Sequence, residues 1–365
     1  MNNLDIEREK INKIDKEMAE LFEQRMNCSK AVANYKKEKG LPILDKNREE
    51  AIILNNSNYI NNEEIKGYYV NFMRDVMKIS RLYQHTLLNG MKIAYSGVEG
   101  AFAHIASGKI FPESTRVALQ NFNLAYEAVV NGECDCAVLP IENSSAGEVG
   151  TVMDLIFNGN LYINGIYELS VSQNLLGVKN SKISDIKKVI SHIQALEQCN
   201  TYIKQHNLNA QLCENTAKAA QLVAKMNDKS VAAIASQETA EIYGLDVLDS
   251  NINECHQNST RFAVLSRSQH IKTVNKPDNH SVLVFAVRND AGALAKAINI
   301  IGKYGFNMRT LRSRSLKDLL WQYYFYVEVE GNLYTENGQD MLKELSPLCD
   351  KLKVVGTFYN HIDLK

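Results

Sequence analysis

The stretch DIEREKINKIDKEMAELFEQRMNCSKAVANYKKEK, from Asp5 to Lys39, contains neither proline nor glycine, and Gly40-Leu41-Pro42 follows it directly. Apolar or small side chains recur along it at alternating spacings of three and four, which is the pattern of a helical seam. They are Ile11, Ile14, Met18, Leu21, Cys28, Val32 and Tyr35. At 1.5 Å per residue this helix would be roughly 50 Å long. Because a small monomeric domain cannot cover such a rod, we expect it to pack against a partner chain.

Two further helices complete the first ninety residues. Asp45 is a good N-cap for a second helix, and a polar loop is expected over residues 55–62. A third helix is predicted from Glu63 to Leu88, where Asn89-Gly90 ends the pattern. Residues 1–90 are therefore predicted to form an all-α domain.

The pattern changes at Met91, where short apolar strands begin to alternate with helices. This alternation predicts a parallel α/β architecture over residues 91–268, as one large domain or two hinged lobes. The predicted strands are Lys92–Tyr95, Val117–Leu119, Ala137–Ile141, Val189–Ser191, Val231–Ala235 and Ala263–Leu265, and the predicted helices include Asn123–Asn131, Leu196–Gln205 and Ala217–Met226.

A polar, proline-containing linker, Asn275-Lys276-Pro277-Asp278-Asn279, separates this region from the last one. The elements after it follow the order βαββαβ, which predicts an α+β ferredoxin-like sandwich over residues 280–360. They are Ser281–Val287, Gly292–Tyr304, Asn307–Arg314, Trp321–Glu330, Thr335–Leu345 and Leu352–Phe358. The chain is therefore expected to be multidomain.

Composition excludes several classes of partner. The 365 residues carry 41 basic and 42 acidic side chains, so no global field favours nucleic acid or an anionic membrane. No signal peptide is recognisable, and no apolar run reaches the ~20 residues that span a bilayer. The seven cysteines show no zinc spacing, and Cys134 and Cys136 are interpreted as buried thiols rather than a metal or redox site. We expect a cytoplasmic protein without a metal.

Cations on the first helix suggest an anion site. Arg25 occupies a seam position, and Lys36, eleven residues later, returns to nearly the same face. Their stems could lie on apolar surface with the charges in water, or the charges could hold a small dicarboxylate. Ser80 and Gln84 share one face of the third helix, since they are four residues apart.

This set of side chains resembles the active site of the all-helical chorismate mutase family. The matching residues are Arg8, Arg25, Lys36, Asp45, Arg48, Glu49, Ser80 and Gln84. The resemblance implies an intertwined homodimer that rearranges chorismate to prephenate without a cofactor. It implies that Arg25, with Arg8 from the partner chain, holds the substrate carboxylates. Lys36 and Gln84 would donate to the ether oxygen as it gains negative charge, and the remaining four would bind the ring hydroxyl and the carboxylates.

Polar clusters in the middle region lie where strands are predicted to end, which is where open α/β sheets bind ligands. They occupy residues 139–147, 191–199, 215–217 and 259–262. Gly97 and Gly100 follow a strand, but the Gly-x-Gly-x-x-Gly fingerprint of dinucleotide binding is missing there. This argues against a dehydrogenase.

These clusters, with Thr-Arg-Phe at 260–262, resemble the signatures of prephenate dehydratase, although Ile193 stands where proline is common. The resemblance implies two α/β lobes, and a cleft in which prephenate loses water and CO₂ to give phenylpyruvate. Thr260 would assist departure of the hydroxide. The substrate-binding residues it implies are Glu142, Asn143, Ser144, Ser191, Gln198, Thr216, Thr260, Arg261 and Phe262. Two alternatives stay open: Arg261 binds a carboxylate or joins the lobes, and His192 is a general base or orients its neighbours.

The last region resembles the ACT domain, which binds amino acids at a dimer interface. The resemblance implies an effector pocket for phenylalanine formed by Asn289, Gly292, Ala293, Leu294, Ser313 and Arg314. The family's Glu-Ser-Arg-Pro motif reads Arg312-Ser313-Arg314-Ser315 in this chain. Arg312 is expected to bring like charge near the effector's amine and so to weaken inhibition.

Together the resemblances predict a bifunctional chorismate mutase/prephenate dehydratase of phenylalanine biosynthesis, acting as a homodimer or higher oligomer under control of phenylalanine. Two rival interpretations are a non-catalytic amino-acid sensor and a mutase joined to a dehydrogenase.

Overall fold

A computed structural model of the chain describes residues 3–255, 257–269, 279–316, 322–359 and 362–364. Most of the predicted linker, residues 275–278, and Trp321 lie outside these described residues. The chain divides into two compact units, Met1–Met91 and Lys92–Lys365. This division does not separate residues 91–268 from 280–360, so that boundary stays a prediction.

The first unit is helical, with α1 (Asn3–Glu38), α2 (Lys46–Ser57) and α3 (Glu63–Asn89). The predicted cap of α2 is present, because the Asp45 carboxylate accepts the Arg48 N–H at 3.0 Å. The loop expected from residue 55 is wrong at its start, since α2 continues to Ser57. The three helices therefore follow the sequence closely.

The apolar side of α1 is left open in the single chain. Its seam residues between Ile11 and Tyr35 include Ile14, Met18, Leu21 and Val32, and these six side chains are 45–62% exposed. A small cluster of buried residues, Ile53, Met73 and Met77, forms the core between α2 and α3 instead. This exposure agrees with the expectation that α1 needs a covering surface.

The second unit contains nine α-helices and sixteen strands among its described residues. The helices are α4 (Phe102–Ile110), α5 (Phe122–Val130), α6 (Gly150–Asn158), α7 (Ile193–Gln198), α8 (Asn200–Gln205), α9 (Thr216–Met226), α10 (Gln237–Tyr243), α11 (Ala293–Lys303) and α12 (Glu336–Leu345). The strands are β1 (Lys92–Ser96), β2 (Thr115–Leu119), β3 (Cys136–Asn143), β4 (Gly147–Glu148), β5 (Tyr162–Ser170), β6 (Asn174–Gly177), β7 (Lys188–Ser191), β8 (Asn209–Leu212), β9 (Val231–Ala235), β10 (Asp246–Asp249), β11 (Ser259–Ser266), β12 (Asn279–Val287), β13 (Met308–Ser315), β14 (Tyr323–Glu330), β15 (Cys349–Tyr359) and β16 (Ile362–Leu364).

These strands form three sheets, which we call sheets 1, 2 and 3. Sheet 1 has the order β16-β5-β11-β3-β1-β2, with β4 paired to β3. Sheet 2 has the order β10-β6-β9-β7-β8. Sheet 3, with the order β13-β14-β12-β15, is antiparallel throughout and arises from the predicted βαββαβ sequence of elements.

The prediction of parallel sheets is wrong in part, because sheets 1 and 2 are mixed. Strand β11 runs antiparallel to both β3 and β5, and β6 runs antiparallel to β9 and β10. An apolar run predicts a strand but carries no information about its direction, and β5 and β6 were not predicted at all. The reversal brings the start of β11 beside the end of β3, where Thr260 pairs with Asn143.

Sheet 3 is covered on both faces. Phe285, Phe325 and Val327 on one face pack with Ala297 of α11 and Met341 of α12. On the other face, the buried core of sheet 1 includes residues of sheet 3, among them Val284, Tyr324, Tyr326 and Val355. The last region of the chain is thus packed directly against the α/β region.

The expectation of buried thiols at Cys134 and Cys136 is confirmed. All seven cysteines are free, and Cys134 and Cys136 are buried. Burial raises the pKa of Cys136 to about 12. Across the described residues, no three His, Cys, Asp or Glu side chains are grouped so that they could hold a metal ion.

None of the described helices combines the length and the apolar character needed to cross a membrane. The cytoplasmic location stays a prediction.

Candidate active sites

A cavity of about 110 Å³ lies between the three helices of the first unit. It is lined by seven of the eight residues predicted from the sequence: Arg25, Lys36, Asp45, Arg48, Glu49, Ser80 and Gln84. The eighth, Arg8, is exposed and does not line the cavity. The helices thus gather residues that are up to 59 positions apart in the sequence, counted from Arg25 to Gln84.

The two cations of α1 point into this cavity. The Arg25 guanidinium donates to the Ser80 hydroxyl, which itself donates to the Val76 carbonyl at 2.9 Å. The Lys36 ammonium donates to the Ile43 carbonyl at 2.6 Å. These contacts favour an anion site over side chains that merely extend along apolar surface into water.

Gln84 has hydrogen-bonding capacity to spare. Its side chain is 7% exposed, and its Oε1 has no hydrogen-bond partner among the described residues. A buried polar group without a partner costs roughly 1–3 kcal/mol. Because the residue lines the cavity, a bound ligand could satisfy it.

Arg81 also lines the cavity, although the sequence did not single it out. Its guanidinium pairs with the Glu49 carboxylate, and both side chains are half-buried. Arg81 stands three residues before Gln84 and so shares its helix face. That spacing was the signal that could have revealed it.

The second predicted site centres on hydrogen bonds between β3, β11 and α7. The Asn143 amide donates to the Thr260 hydroxyl at 2.9 Å and to the Asn258 amide oxygen at 2.9 Å. Asn258 donates in turn to the Gln198 amide oxygen at 3.1 Å. Ser144 joins the same group, because its hydroxyl accepts the Ser259 N–H at 2.9 Å.

Asn258 is the member of this amide network that the sequence did not identify. It is 3% exposed and connects the end of β3 in sheet 1 with α7, which follows β7 of sheet 2. It directly precedes the polar cluster at residues 259–262. Its position next to that cluster was the available signal.

Three other predicted residues lie apart from the network. The Ser191 hydroxyl is fully buried and donates to the Ile234 carbonyl at 2.6 Å. Thr216 begins α9, just after β8, which pairs with β7. Phe262 is 1% exposed, so its side chain belongs to the core and presents no surface to a ligand.

His192 caps the helix that carries Gln198. Its Nδ1 accepts the Gln194 N–H at 3.3 Å. Burial lowers the pKa of His192, against an opposing contribution from Glu197. A neutral imidazole that accepts a hydrogen bond from the N-terminus of α7 favours the alternative in which His192 orients its neighbours over the one in which it is a general base.

Arg261 is engaged by carboxylates of the protein itself. Its guanidinium contacts Glu142 at 3.3 Å and Glu328 of β14 at 2.7 Å. Burial acts to lower the pKa of Arg261, but Glu328 and then Glu142 raise it overall. The arginine therefore joins sheet 1 to sheet 3, an arrangement that neither of the two alternatives left open by the sequence had named.

The predicted effector residues Ser313 and Arg314 do not converge. Alternate side chains of a strand point to opposite faces, and along β13 Arg312 and Arg314 are the more buried set. Arg314 pairs with Asp154 at 3.0 Å and Glu148 at 2.7 Å, while Arg312 pairs with Glu142. In the single chain the Arg312 guanidinium is held by Glu142, and its expected position near the effector's amine stays a prediction.

The predicted effector loop before α11 adopts a compact cap. Gly292 has φ +79° and caps the helix, and the Ala293 N–H already donates to the Asp290 carbonyl at 3.1 Å. Asn289 is exposed, whereas Leu294 is half-buried.

A larger cavity of about 510 Å³ lies elsewhere in the second unit. It is lined by polar and apolar side chains that include Phe102, Leu169, Asn174, Ser236, Glu238 and Asn251. None of the residues predicted for either site lines it.

Comparisons with known proteins agree with this division of the chain. The family model for chorismate mutase type II matches residues 7–85, and that for prephenate dehydratase matches residues 93–270. A bifunctional chorismate mutase/prephenate dehydratase from Enterobacter agglomerans is 31% identical over 366 residues, which cover 96% of this chain and 94% of that protein.

Solved structures resemble the second unit. The structure of prephenate dehydratase from Arthrobacter aurescens in complex with L-Phe has a TM-score of 0.69 at 26% identity, covering 74% of this chain and 90% of that one. GqqA, described as a novel type of quorum-quenching acylase, has a TM-score of 0.68 at 31% identity, covering 73% of this chain and 97% of that one.

The matches to both family models, and the similarity that extends over nearly the whole length of a curated relative, confirm the two activities predicted from the sequence. This chain therefore belongs to the family of bifunctional chorismate mutase/prephenate dehydratases of phenylalanine biosynthesis.

Proposed function

We propose that the cavity of the helical unit is the mutase site and that the amide network around Thr260 is the dehydratase site. One observation supports each. For the mutase, cations from separate helices line one cavity. For the dehydratase, the Thr260 hydroxyl oxygen accepts from Asn143, so its own proton remains available to donate.

In the mutase site, Arg25 and Arg48 bind the carboxylates of chorismate and hold the flexible ether in its reactive shape. Lys36 and Gln84 donate to the ether oxygen, which becomes more negative as its bond to carbon stretches. The reaction is intramolecular, so the protein needs to supply only orientation and charge. Four cations and two carboxylates around one cavity give a net positive site that suits a dianionic substrate.

The mutase site is completed by a second copy of the chain. Arg8 is exposed and remote from the cavity of its own chain, and the apolar side of α1 lies open beside it. Burying that face in a homodimer would remove a large apolar surface from water and bring the partner chain's Arg8 to the cavity.

A mixture of Arg8→Ala and Arg25→Ala chains tests this, because each mixed dimer regains one intact site. If the site is shared, random mixing restores about a quarter of the wild-type mutase activity, although each variant alone is inactive. If the site is not shared, the mixture stays inactive.

In the dehydratase site, Thr260 donates a hydrogen bond to the hydroxyl group that leaves prephenate. The leaving group departs as CO₂ is lost and the ring becomes aromatic. Asn143 and Asn258 hold Thr260 in position, and Gln198 contributes from α7. Thr216 lies beside the end of sheet 2 and is proposed to contact substrate when the lobes close on it, whereas Ser191, which is fully buried and donates to the Ile234 carbonyl, is proposed to fix the end of β7.

We further propose that residues 280–360 form an ACT domain through which phenylalanine inhibits the dehydratase. The βαββαβ order, the Gly292 loop and the phenylalanine complex of the similar dehydratase support this. Gly292→Ala places a Cβ at φ +79° and distorts the loop, so it is expected to weaken inhibition without changing kcat. Gly302→Ala, in open space on α11, is the control.

The decisive assay adds chorismate to the purified full-length chain and follows phenylpyruvate by its absorbance in base. Formation of phenylpyruvate supports both sites. A chain that left chorismate unchanged would contradict the mutase site, and one that stopped at prephenate would contradict the dehydratase site.

A further inference from the structure

A row of alternating charges crosses from sheet 3 into sheet 1. Arg312 of β13 pairs with one carboxylate oxygen of Glu142, and Arg261 contacts the other at 3.3 Å. Arg261 then reaches Glu328 of β14 at 2.7 Å. Glu328 is 1% exposed, Arg261 and Glu142 are half-buried, and the Arg312 side chain is 36% exposed. Charges removed from water in this way are stable only when each has its partners.

This row runs directly beside the amide network. Glu142 immediately precedes Asn143 on β3, and Arg261 immediately follows Thr260 on β11. The two strands place Arg261 opposite Glu142 and Thr260 opposite Asn143 in consecutive pairs. The ion pairs therefore hold the same two strand ends whose amide and hydroxyl groups face each other at 2.9 Å.

Arg312 is the member of the row that comes from outside these strands. It lies across from Tyr326 in sheet 3, on the face of that sheet that packs against sheet 1. Without it, Glu142 would keep a single cationic partner, and a half-buried carboxylate would turn toward solvent or pull Arg261 away from Glu328. Either movement shifts a strand end that carries a reacting group, and displacements of about 1 Å cost up to about 100-fold in rate.

We propose that Arg312 is a positioning residue for the dehydratase reaction, acting through Glu142 to hold Asn143 and Thr260 in their reactive geometry. The inference rests on the proposed role of Thr260. It assigns the function of Arg312 to the α/β site, in place of the effector pocket in which the sequence motif put it.

The test compares full-length Arg312→Met and Arg312→Lys with the wild type, using prephenate as substrate and no added amino acid. Arg312→Met is expected to lower kcat about 10-fold with less than a 2-fold change in KM, because the substrate contacts remain. Arg312→Lys keeps the charge and is expected to retain at least half of the wild-type kcat. Arg309→Met is the matched control, since Arg309 lies on the same strand but is exposed.

Thermal unfolding and the mutase activity of each variant report whether the chain is folded. If Arg312→Met does not fold, Arg312→Gln takes its place, with the same expected loss. If the kcat of folded Arg312→Met, or of Arg312→Gln in its place, equals that of Arg309→Met, the inference is overturned. It is also overturned if a folded Arg312→Lys is as slow as Arg312→Met.

Thr260→Val is assayed in parallel to separate this inference from the proposed site. An inactive Thr260→Val with a normal Arg312→Met overturns the inference and leaves the site standing. A fully active Thr260→Val overturns both, because Arg312 would then have no reacting group to position.

Discussion

The two proposed sites differ in the charge of the side chains that form them. The mutase cavity is lined by Arg25, Lys36, Arg48 and Arg81, balanced in part by Asp45 and Glu49. The dehydratase network, by contrast, joins Asn143, Asn258, Thr260 and Gln198, which carry no charge. A fixed cation stabilises the negative charge that develops on an ether oxygen, whereas a neutral hydroxyl group can donate a hydrogen bond to a departing hydroxide.

The two regions also differ in how much of their apolar surface is buried within a single chain. The helical unit leaves the apolar side of its longest helix exposed. The α/β unit buries its sheets against each other and against helices, and it even anchors the charges next to its site. Perturbing each region in turn shows whether this contrast holds.

The largest effect is expected from Arg25→Ala. It removes a carboxylate-binding cation from the cavity and should lower mutase kcat/KM by about 1,000-fold. Conversion of added prephenate should be unchanged, since the second unit has its own core. Lys30→Ala, an exposed cation on the same helix, is the control. A parallel loss of both activities in a folded protein would contradict the two-site comparison.

Thr260→Val is the counterpart in the neutral site. It keeps the shape of the side chain but removes the hydroxyl, so dehydratase kcat should fall by about 100-fold. Chorismate would still be consumed, and prephenate should accumulate in a coupled assay. Thr260→Ser restores the donor and should recover most of the rate. Normal phenylpyruvate output from Thr260→Val would remove Thr260 from the mechanism.

Arg81→Leu probes the cation that the sequence did not reveal. Loss of its pair with Glu49 leaves that carboxylate free to move within the cavity, and we expect mutase kcat/KM to fall by about 10-fold. Arg74→Leu, exposed on the same helix, should have no effect. Equal activities of the two variants would show that the pair with Glu49 does not contribute to the reaction.

His192→Asn should have the smallest effect. Asparagine also accepts from a helix N-terminus, so α7 and Gln198 should keep their positions, and kcat should change by less than about 3-fold. Burial lowers the pKa of His192 from its usual value, which favours the neutral ring. The rate profile from pH 7 to 9 should therefore match that of the wild type. A large loss with an altered profile would restore the general-base interpretation.

The sequence predicted the helical site better than the α/β site, and the reason is geometric. A helix has one period, so Arg25 and Lys36, or Ser80 and Gln84, can be assigned to one face from spacing alone. A strand reveals its alternation but not its direction or its neighbours. The antiparallel course of β11 and the central place of Asn258 therefore had to come from the structure. The alternation of Arg312 with Ser313 was visible in the sequence, so the opposite faces of these two side chains could have been predicted.

Strand β16 is synthesised long after the strand with which it pairs. It pairs with β5 in sheet 1, yet it follows β5 by 192 residues, counted from Ser170 to Ile362. At roughly 5–20 residues per second, a ribosome needs about 10–40 s to cover that distance. Throughout this interval β5 presents an unpaired edge, the kind of surface on which nascent chains aggregate. The edge of β5 at Tyr167–Leu169 is therefore among the last parts of the α/β unit to gain its strand partner, long after the helical unit has been synthesised.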